Sequence, residues 1–153
     1  MSFRNFFFKK KHEIKTKQFI NLRRNVVLIV PIDQEGVYLL REYRPLLGKT
    51  VWRVPAGTLK PGEKPINGAK RELLEETGLI PKKITLAKHT EYMGWVRFPI
   101  YIFKVEGVKK VKQHLDFYEK IDLKKVSKKQ AKRIALDEME EPHHSFALLK
   151  CLE

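Results

Sequence analysis

Apolar positions along the chain fall into short runs separated by turn signals and charged stretches. Val26 to Ile32, VVLIVPI, is rich in β-branched residues; Asp33-Gln34-Glu35-Gly36 follows as a turn, and apolar residues resume from Val37 to Leu40. That pattern predicts a β-hairpin. Ile14 to Leu22 predicts a strand upstream, and Trp52 to Pro55 a brief one downstream. Ile84 to Tyr92, Ile100 to Val105 and Phe117 to Leu123 predict three more. Helical spacing shows between Pro65, suited to a first turn, and Gly78, suited to the left-handed position past a last turn. Ile66, Ala69 and Leu73 would form its core-facing stripe. Ser127 is placed to cap a helix through about Leu136, with Ala131, Ile134 and Ala135 on one side. Ser145 to Leu152 reads as a short final helix. Strands mixed with separated helices predict the α+β class, a layered α/β/α sandwich with a mixed β-sheet between helices.

The 153 residues suit a single domain, 1–153, with one substantial core. With 42% hydrophobic and 33% charged residues, the composition is that of a folded chain with a heavily charged surface, and it argues against disorder or a fibrous repeat. Cys151 is the one cysteine, so no internal disulfide forms, and a reducing, cytoplasmic location is expected. The start, MSFRNFFFKKKHEI, sets an aromatic patch before a basic run and lacks a small-residue cleavage site, unlike a signal peptide. An N-terminal strand or a dimer contact is a simpler reading of Phe3 and Phe6 to Phe8 than a membrane anchor. No stretch is long and apolar enough to predict a membrane span. Lys and Arg total 32 against 18 Asp and Glu, a net charge of +14 that favours a polyanionic partner. Nucleic acid, a nucleotide-sized substrate and a lysine-rich solubilising surface all fit that excess.

Against this basic background, GTLKPGEKPINGAKRELLEETGL, Gly57 to Leu79, crowds Glu72, Glu75 and Glu76 together. On a helix they project within about 100° of one another, beside the apolar stripe. The Glu72/Glu76 pair repels by about 0.2–0.5 kcal/mol, and the helix dipole disfavours an anion in the last turn by about 0.3–1 kcal/mol. Arg71 relieves part of this through Glu75. A divalent cation would relieve the rest, because clustered oxygens on a rigid face suit Mg²⁺ or Mn²⁺ shared with substrate phosphates. A solvated helix face laced with salt bridges is the bland alternative. Gly57, Gly62, Glu63, Arg71 and Gly78 around the cluster favour the site.

These positions resemble the Nudix hydrolase family, whose box reads G-x5-E-x7-R-E-U-x-E-E-x-G-U with U aliphatic. Every fixed position is matched, by Gly57, Glu63, Arg71, Glu72, Leu73, Glu75, Glu76, Gly78 and Leu79. The resemblance implies a loop–helix–loop metal site and Mg²⁺-dependent hydrolysis of a nucleoside diphosphate linked to another group. It implies Glu72 and Glu76 as principal metal ligands, Glu75 as a further or water-bridged ligand, the Ala56 carbonyl as an added oxygen, and Arg71 with Glu63 as the clasp of the loops. In relatives the general base is often a glutamate of a later loop; Glu119 in LDFYEKIDL is the candidate, with Glu91, Glu140 and Glu141 as rivals.

REYRPLLGKTVWRVPAG, Arg41 to Gly57, resembles the segment before the box in the ADP-ribose and sugar-nucleotide branch, through Tyr43-Arg44, Pro45 and Pro55 to Gly57. The Arg44 guanidinium suits a diphosphate; pairing to Glu42 is its alternative. The chain departs from that branch where a Ser-Pro-Gly-like stretch is usual, carrying Glu91-Tyr92-Met93-Gly94-Trp95 instead. Trp95, Arg97 and Phe98 are candidates to clamp a base or sugar, with Trp95 in the core or a dimer contact as the alternative. Trp52 reads as a buried strand residue. A metal reading of His143 and His144 is set aside, because adjacent histidines on a loop are expected to point apart. The branch implies a small-molecule substrate, ADP-ribose or a related sugar nucleotide, and a homodimer. Dinucleotide polyphosphates, nucleoside triphosphates, capped RNA ends, or a catalytically silent nucleotide- or RNA-binding module are the competing readings.

Overall fold

The computed structural model of the chain describes residues 20–21, 24–93, 96–111 and 121–153. Its centre is strand β2, Val26–Ile32, which is apolar throughout because both of its faces are covered. Alternate side chains go to opposite sides: Val27 and Ile29 join one core cluster, and Leu28, Val30 and Ile32 the other. Helix α1, Pro65–Thr77, closes the first cluster with Ala69 and Leu73. Helices α2, Lys128–Asp137, and α3, Pro142–Leu152, close the second with Ala131, Ile134, Ala147 and Leu148. The architecture is thus a sheet between helices, as the alternation of elements predicts.

The sheet comprises β1 (Ile20–Asn21), β2, β3 (Val37–Arg44), β4 (Lys49–Arg53), β5 (Ala56–Thr58), β6 (Leu79–Met93), β7 (Val96–Lys110) and β8 (Ile121–Val126). It is mixed: β7 runs parallel to β1 and β2 and antiparallel to β6. Strand β3 lies antiparallel to β4 and β8, and β5 antiparallel to β2. The last pairing delivers Ala56 and Gly57 to the sheet end that α1 overhangs.

Several boundaries depart from the sequence reading for physical reasons. The turn after β2 forms through the Asp33 carboxylate, which accepts the N–H groups of Glu35 at 2.9 Å and Gly36 at 3.0 Å. The hairpin opens at once, however, with Ile32↔Val37 its one registered pair, because β3 turns to β4 and β8. Strands β6 and β7 pair from Leu79↔Lys110 to Met93↔Arg97, well beyond the apolar segments that marked them. The lysine-rich end of β7 carries no apolar alternation to read, whereas its start, Val96-Arg97-Phe98-Pro99, alternates and lies ahead of the segment that marked it. Trp52 to Pro55 spans the end of β4 and the bend into β5, not one strand. Helix α3 starts at Pro142, ahead of Ser145, with proline in the first turn, where its missing N–H costs nothing. Ser127 caps α2, its hydroxyl accepting the Gln130 N–H at 3.1 Å. The expected segments Ile14 to Leu22 and Phe117 to Leu123 fall mostly outside the described residues. Among the described residues, no helix is long and apolar enough to cross a membrane.

Helix α1 is also rolled relative to the predicted stripe. Ile66 is exposed, and the buried face is Gly68, Ala69, Leu73, Glu76 and Thr77. Gly68 permits this roll, since a Cβ there would lie 2.2 Å from Leu59 Cδ2.

Candidate active site

The loop between β5 and α1 is tied by one arginine. Arg71 donates through Nε to Glu63 Oε1 and through Nη2 to Glu63 Oε2, both at 2.9 Å, a two-pronged pair of the strong kind. Its Nη2 also reaches the Thr58 carbonyl at 3.3 Å, and its Nη1 reaches Glu72 Oε1 at 2.7 Å and Glu75 Oε2 at 3.1 Å. Glu63 Oε2 in turn accepts the Lys60 N–H at 2.9 Å, which closes the loop on itself. Arg71 holds the Glu63 carboxyl down to about 2, and its own guanidinium is raised by the same partners. At the far end Gly78 adopts φ 67°, and its N–H donates to the Leu74 carbonyl at 2.8 Å, ending the helix as its sequence position predicts.

The three carboxylates do not converge on one open face. Because the helix is rolled, Glu76 turns inward, Glu72 lies against the β5 backbone, and Glu75 faces solvent; their side chains are 10%, 14% and 51% exposed. Glu76 Oε2 accepts the Ala56 N–H at 2.9 Å, and Oε1 accepts Arg53 Nη2 at 3.0 Å. The Glu72 carboxylate occupies the space a side chain at Gly57 would need, since a Cβ there would lie 2.0 Å from Glu72 Cδ. A side chain at 57 would therefore displace the Glu72 carboxylate from this place. Burial pushes the Glu76 carboxyl up to about 7, against the pull of Arg53 and the Ala56 N–H, and burial raises Glu72 as well.

Arg53 is the residue that sequence reasoning missed. It is buried, donates to Glu76 and to the Ala56 carbonyl at 3.1 Å, and forms an ion pair with Glu42. Arg71 outside and Arg53 inside thus relieve the charge conflict that the spacing assigned to a divalent cation. The available signal was slight: an arginine between Trp52 and Val54, at an inward strand position, has to be paired if buried.

The oxygen set still fits a hard divalent cation. Glu72 and Glu76 are both brought to the Ala56–Gly57 backbone, by the Gly57 cradle and the Ala56 N–H respectively. A carbonyl oxygen has two lone-pair directions, so the Arg53 contact takes up only part of the capacity of Ala56. Among the described residues the second oxygen of Glu72 and that of Glu75 accept no hydrogen bond. Oxygens gathered in this way suit Mg²⁺, or Mn²⁺ in its place.

Arg44, expected at a diphosphate, donates through Nη2 to Glu141 Oε1 at 2.8 Å and lies 3.5 Å from Glu42. Charges therefore run without a break from Glu141 through Arg44, Glu42 and Arg53 to Glu76. His143 and His144 do not point apart: they sit in the first turn of α3, and both reach Glu141 Oε2 through Nε2, at 3.3 and 3.1 Å. Those contacts, with Arg44, hold the Glu141 carboxyl well below the ordinary range. Burial pulls His144 down to about 4, so it stays neutral.

Of the remaining candidates, Arg97 pairs with Glu91 at 2.7 Å, and Glu140 pairs with Lys49. Phe98 stacks on Tyr92, centroids 5.1 Å apart, and the Trp52 indole donates to Glu138 at 3.0 Å. Glu119 and Trp95 lie outside the described residues. A cleft of about 760 Å³ lined by Asp33, Lys82, Lys104, Lys128 and Glu153 includes none of these candidates.

Comparison with known proteins extends the motif to most of the chain. Residues 22–146 match the family profile described as the NUDIX domain. The ADP-ribose pyrophosphatase of Bacillus subtilis (strain 168) is 30% identical over 125 residues, covering 78% of this chain and 66% of that protein. The 8-oxo-dGDP phosphatase of Mus musculus is 31% identical over 102 residues, covering 63% of this chain and 31% of that protein. Both relatives therefore carry sequence beyond the match. A crystal structure described as an ADP compounds hydrolase shares the fold, with a TM-score of 0.73 at 23% identity over 84% of this chain and 70% of that one. A family match that spans nearly every described element, on a fold that sets the box around Ala56 and Gly57, decides the affiliation: the chain belongs to the NUDIX hydrolase family.

Proposed function

We propose that this protein is a Mg²⁺-dependent pyrophosphohydrolase that cleaves ADP-ribose, or a related sugar nucleotide, with water to a nucleoside monophosphate and a sugar phosphate. The observation that carries this reading is the delivery of Glu72 and Glu76 to one stretch of backbone at Ala56–Gly57. Glu72, Glu76 and the Ala56 carbonyl would hold the ion, with Glu75 reaching it directly or through water. When bound, the ion neutralises charge on the diphosphate oxygens and acidifies a water. Arg71 and Glu63 keep the loop and helix in fixed relation, so the ligands need no rearrangement. Arg44, paired to Glu141 through Nη2, is proposed to turn its remaining guanidinium donors to a substrate phosphate. Arg97 and Trp95 are proposed at the base or sugar, and Glu119 as the residue that takes the proton of the attacking water. The name of the Bacillus subtilis relative supports ADP-ribose as substrate. A homodimer in the cytoplasm is the proposed working form.

The test is a panel of ADP-ribose, other sugar nucleotides, dinucleotide polyphosphates and nucleoside triphosphates, assayed with Mg²⁺ and with chelator. Equimolar AMP and ribose 5-phosphate from ADP-ribose, abolished by chelator, is expected. Glu76→Gln should lower kcat by roughly a hundredfold or more, the scale of removing one charge-stabilising group, with an unchanged circular dichroism spectrum. Near-normal turnover in that folded variant would overturn the ligand assignment. No cleavage of any compound would replace the proposal with a binding role.

A further inference from the structure

The start of α3 gathers a donor set that the proposed reaction does not use. Glu141 precedes the helix, and His143 and His144 occupy its first turn. The Nε2 atoms of the two histidines stand 3.3 and 3.1 Å from the same oxygen, Glu141 Oε2, and one donor atom from each residue lies within 4.8 Å of the others. Ligands bonded at about 2.0–2.2 Å around a four-coordinate ion stand roughly 3.3 Å apart, so two of the three spacings already match.

The set is held from outside. Arg44 donates to Glu141 Oε1 and so orients the carboxylate with Oε2 toward the imidazoles. The His143 ring stands edge-on to Tyr92 and Phe98, with centroids 6.2 and 6.3 Å away, and His144 is buried. Ligands fixed by surrounding contacts are a requirement of a tight metal site. The side chains of His143 and Glu141 keep 23% and 27% exposure, which leaves an approach for an ion and a position for water.

Charge and proton placement permit the ion. Next to the site, the carboxylates of Glu141 and Glu42 match the guanidinium groups of Arg44 and Arg53 in number, so no surplus positive charge stands against a cation. Ligation through Nε2 moves a ring proton to Nδ1. Because His144 Nδ1 is buried without a hydrogen-bond partner, that ring has one unpaired nitrogen before and after, and ligation creates no new orphan. Two imidazole nitrogens with one carboxylate oxygen select a borderline transition ion over Mg²⁺, which prefers oxygen throughout. We propose that Glu141, His143 and His144 form a second metal site, separate from the carboxylates of α1, for a Zn²⁺-type divalent ion.

Co²⁺ is the probe, because a low-coordinate imidazole site gives it visible absorption far stronger than a six-coordinate oxygen site does. The full chain in excess Mg²⁺ should take up one equivalent of Co²⁺ with a visible band that Zn²⁺ displaces. The band should persist in Glu76→Gln and in His89→Ala. His143→Ala should weaken Co²⁺ binding by at least about tenfold with an unchanged circular dichroism spectrum; the part-exposed His143 is chosen over buried His144 so that the fold survives. No band in the folded wild-type protein overturns the proposal. So does equal affinity in wild type and His143→Ala, or loss of the band in Glu76→Gln alone, which would assign the ion to α1.

Discussion

Arg71 and Arg53 counter the same cluster of helix carboxylates from opposite sides, in very different surroundings. Arg71 is 20% exposed at its side chain and draws its partners from one short segment, Thr58 to Glu75. Arg53 is 8% exposed and reaches Glu42 on a neighbouring strand and Glu76 on α1. Removing Arg71 leaves Glu75 facing water and Glu63 still bonded to the Lys60 N–H, whereas removing Arg53 takes a guanidinium away from Glu76, the least exposed of these carboxylates. A compensating charge in the core is thus worth more than its counterpart at the surface, although the surface one makes more hydrogen bonds.

The sharpest way to break this comparison is to delete each guanidinium. Arg53→Met should cost about 3–5 kcal/mol of unfolding free energy, the scale of stranding a buried charge, as read from denaturant melts of the metal-free protein. An intermediate effect is expected from pH. The folded-state Glu76 carboxyl, at about 7 against an ordinary 4.5, favours folding below about pH 4.5, and that advantage is lost as pH rises through 7. His144, at about 4 against 6.5, has the opposite sign: its contribution is present above 6.5 and lost as pH falls through 4. The two oppose each other across the shared window, so wild-type stability should change little there. Glu76→Gln removes one of them, and stability should then rise with pH at up to about 1.4 kcal/mol per unit. A variant profile as flat as the wild type would contradict this pairing. The smallest effect is expected from Arg71→Met, about 1–2 kcal/mol, since Glu75 already faces water and Glu63 keeps the Lys60 N–H. Equal losses in the Arg53 and Arg71 variants would erase the distinction between core and surface.

The local parts of the site were readable because a helix converts spacing into direction. Glu63, Arg71 and Glu75 are near in sequence, and the clasp they form needs nothing from the rest of the chain. The reading failed where orientation depended on packing. Ile66 matched the apolar stripe, yet Gly68 lets Leu59 approach, α1 rolls, and Glu76 takes the buried place instead. The histidine pair failed for a related reason: with α3 beginning at Pro142, the side chains of residues 143 and 144 leave a helical turn and both bend to Glu141. The far end of β7 was missed because its pairing with β6, not an apolar alternation, keeps it extended.

By itself the sequence determined the layered class, the apolar run of β2, the ends of α1 and the box that marks the family, since each is a matter of residue type at short range. Only the tertiary structure decided which carboxylate is buried, that Arg53 is its partner, and that Arg44, Glu42 and Glu141 link α3 to that partner. Those contacts join residues from β3, β4, α1 and the start of α3, and their strength depends on how much water the fold excludes, which no local spacing encodes.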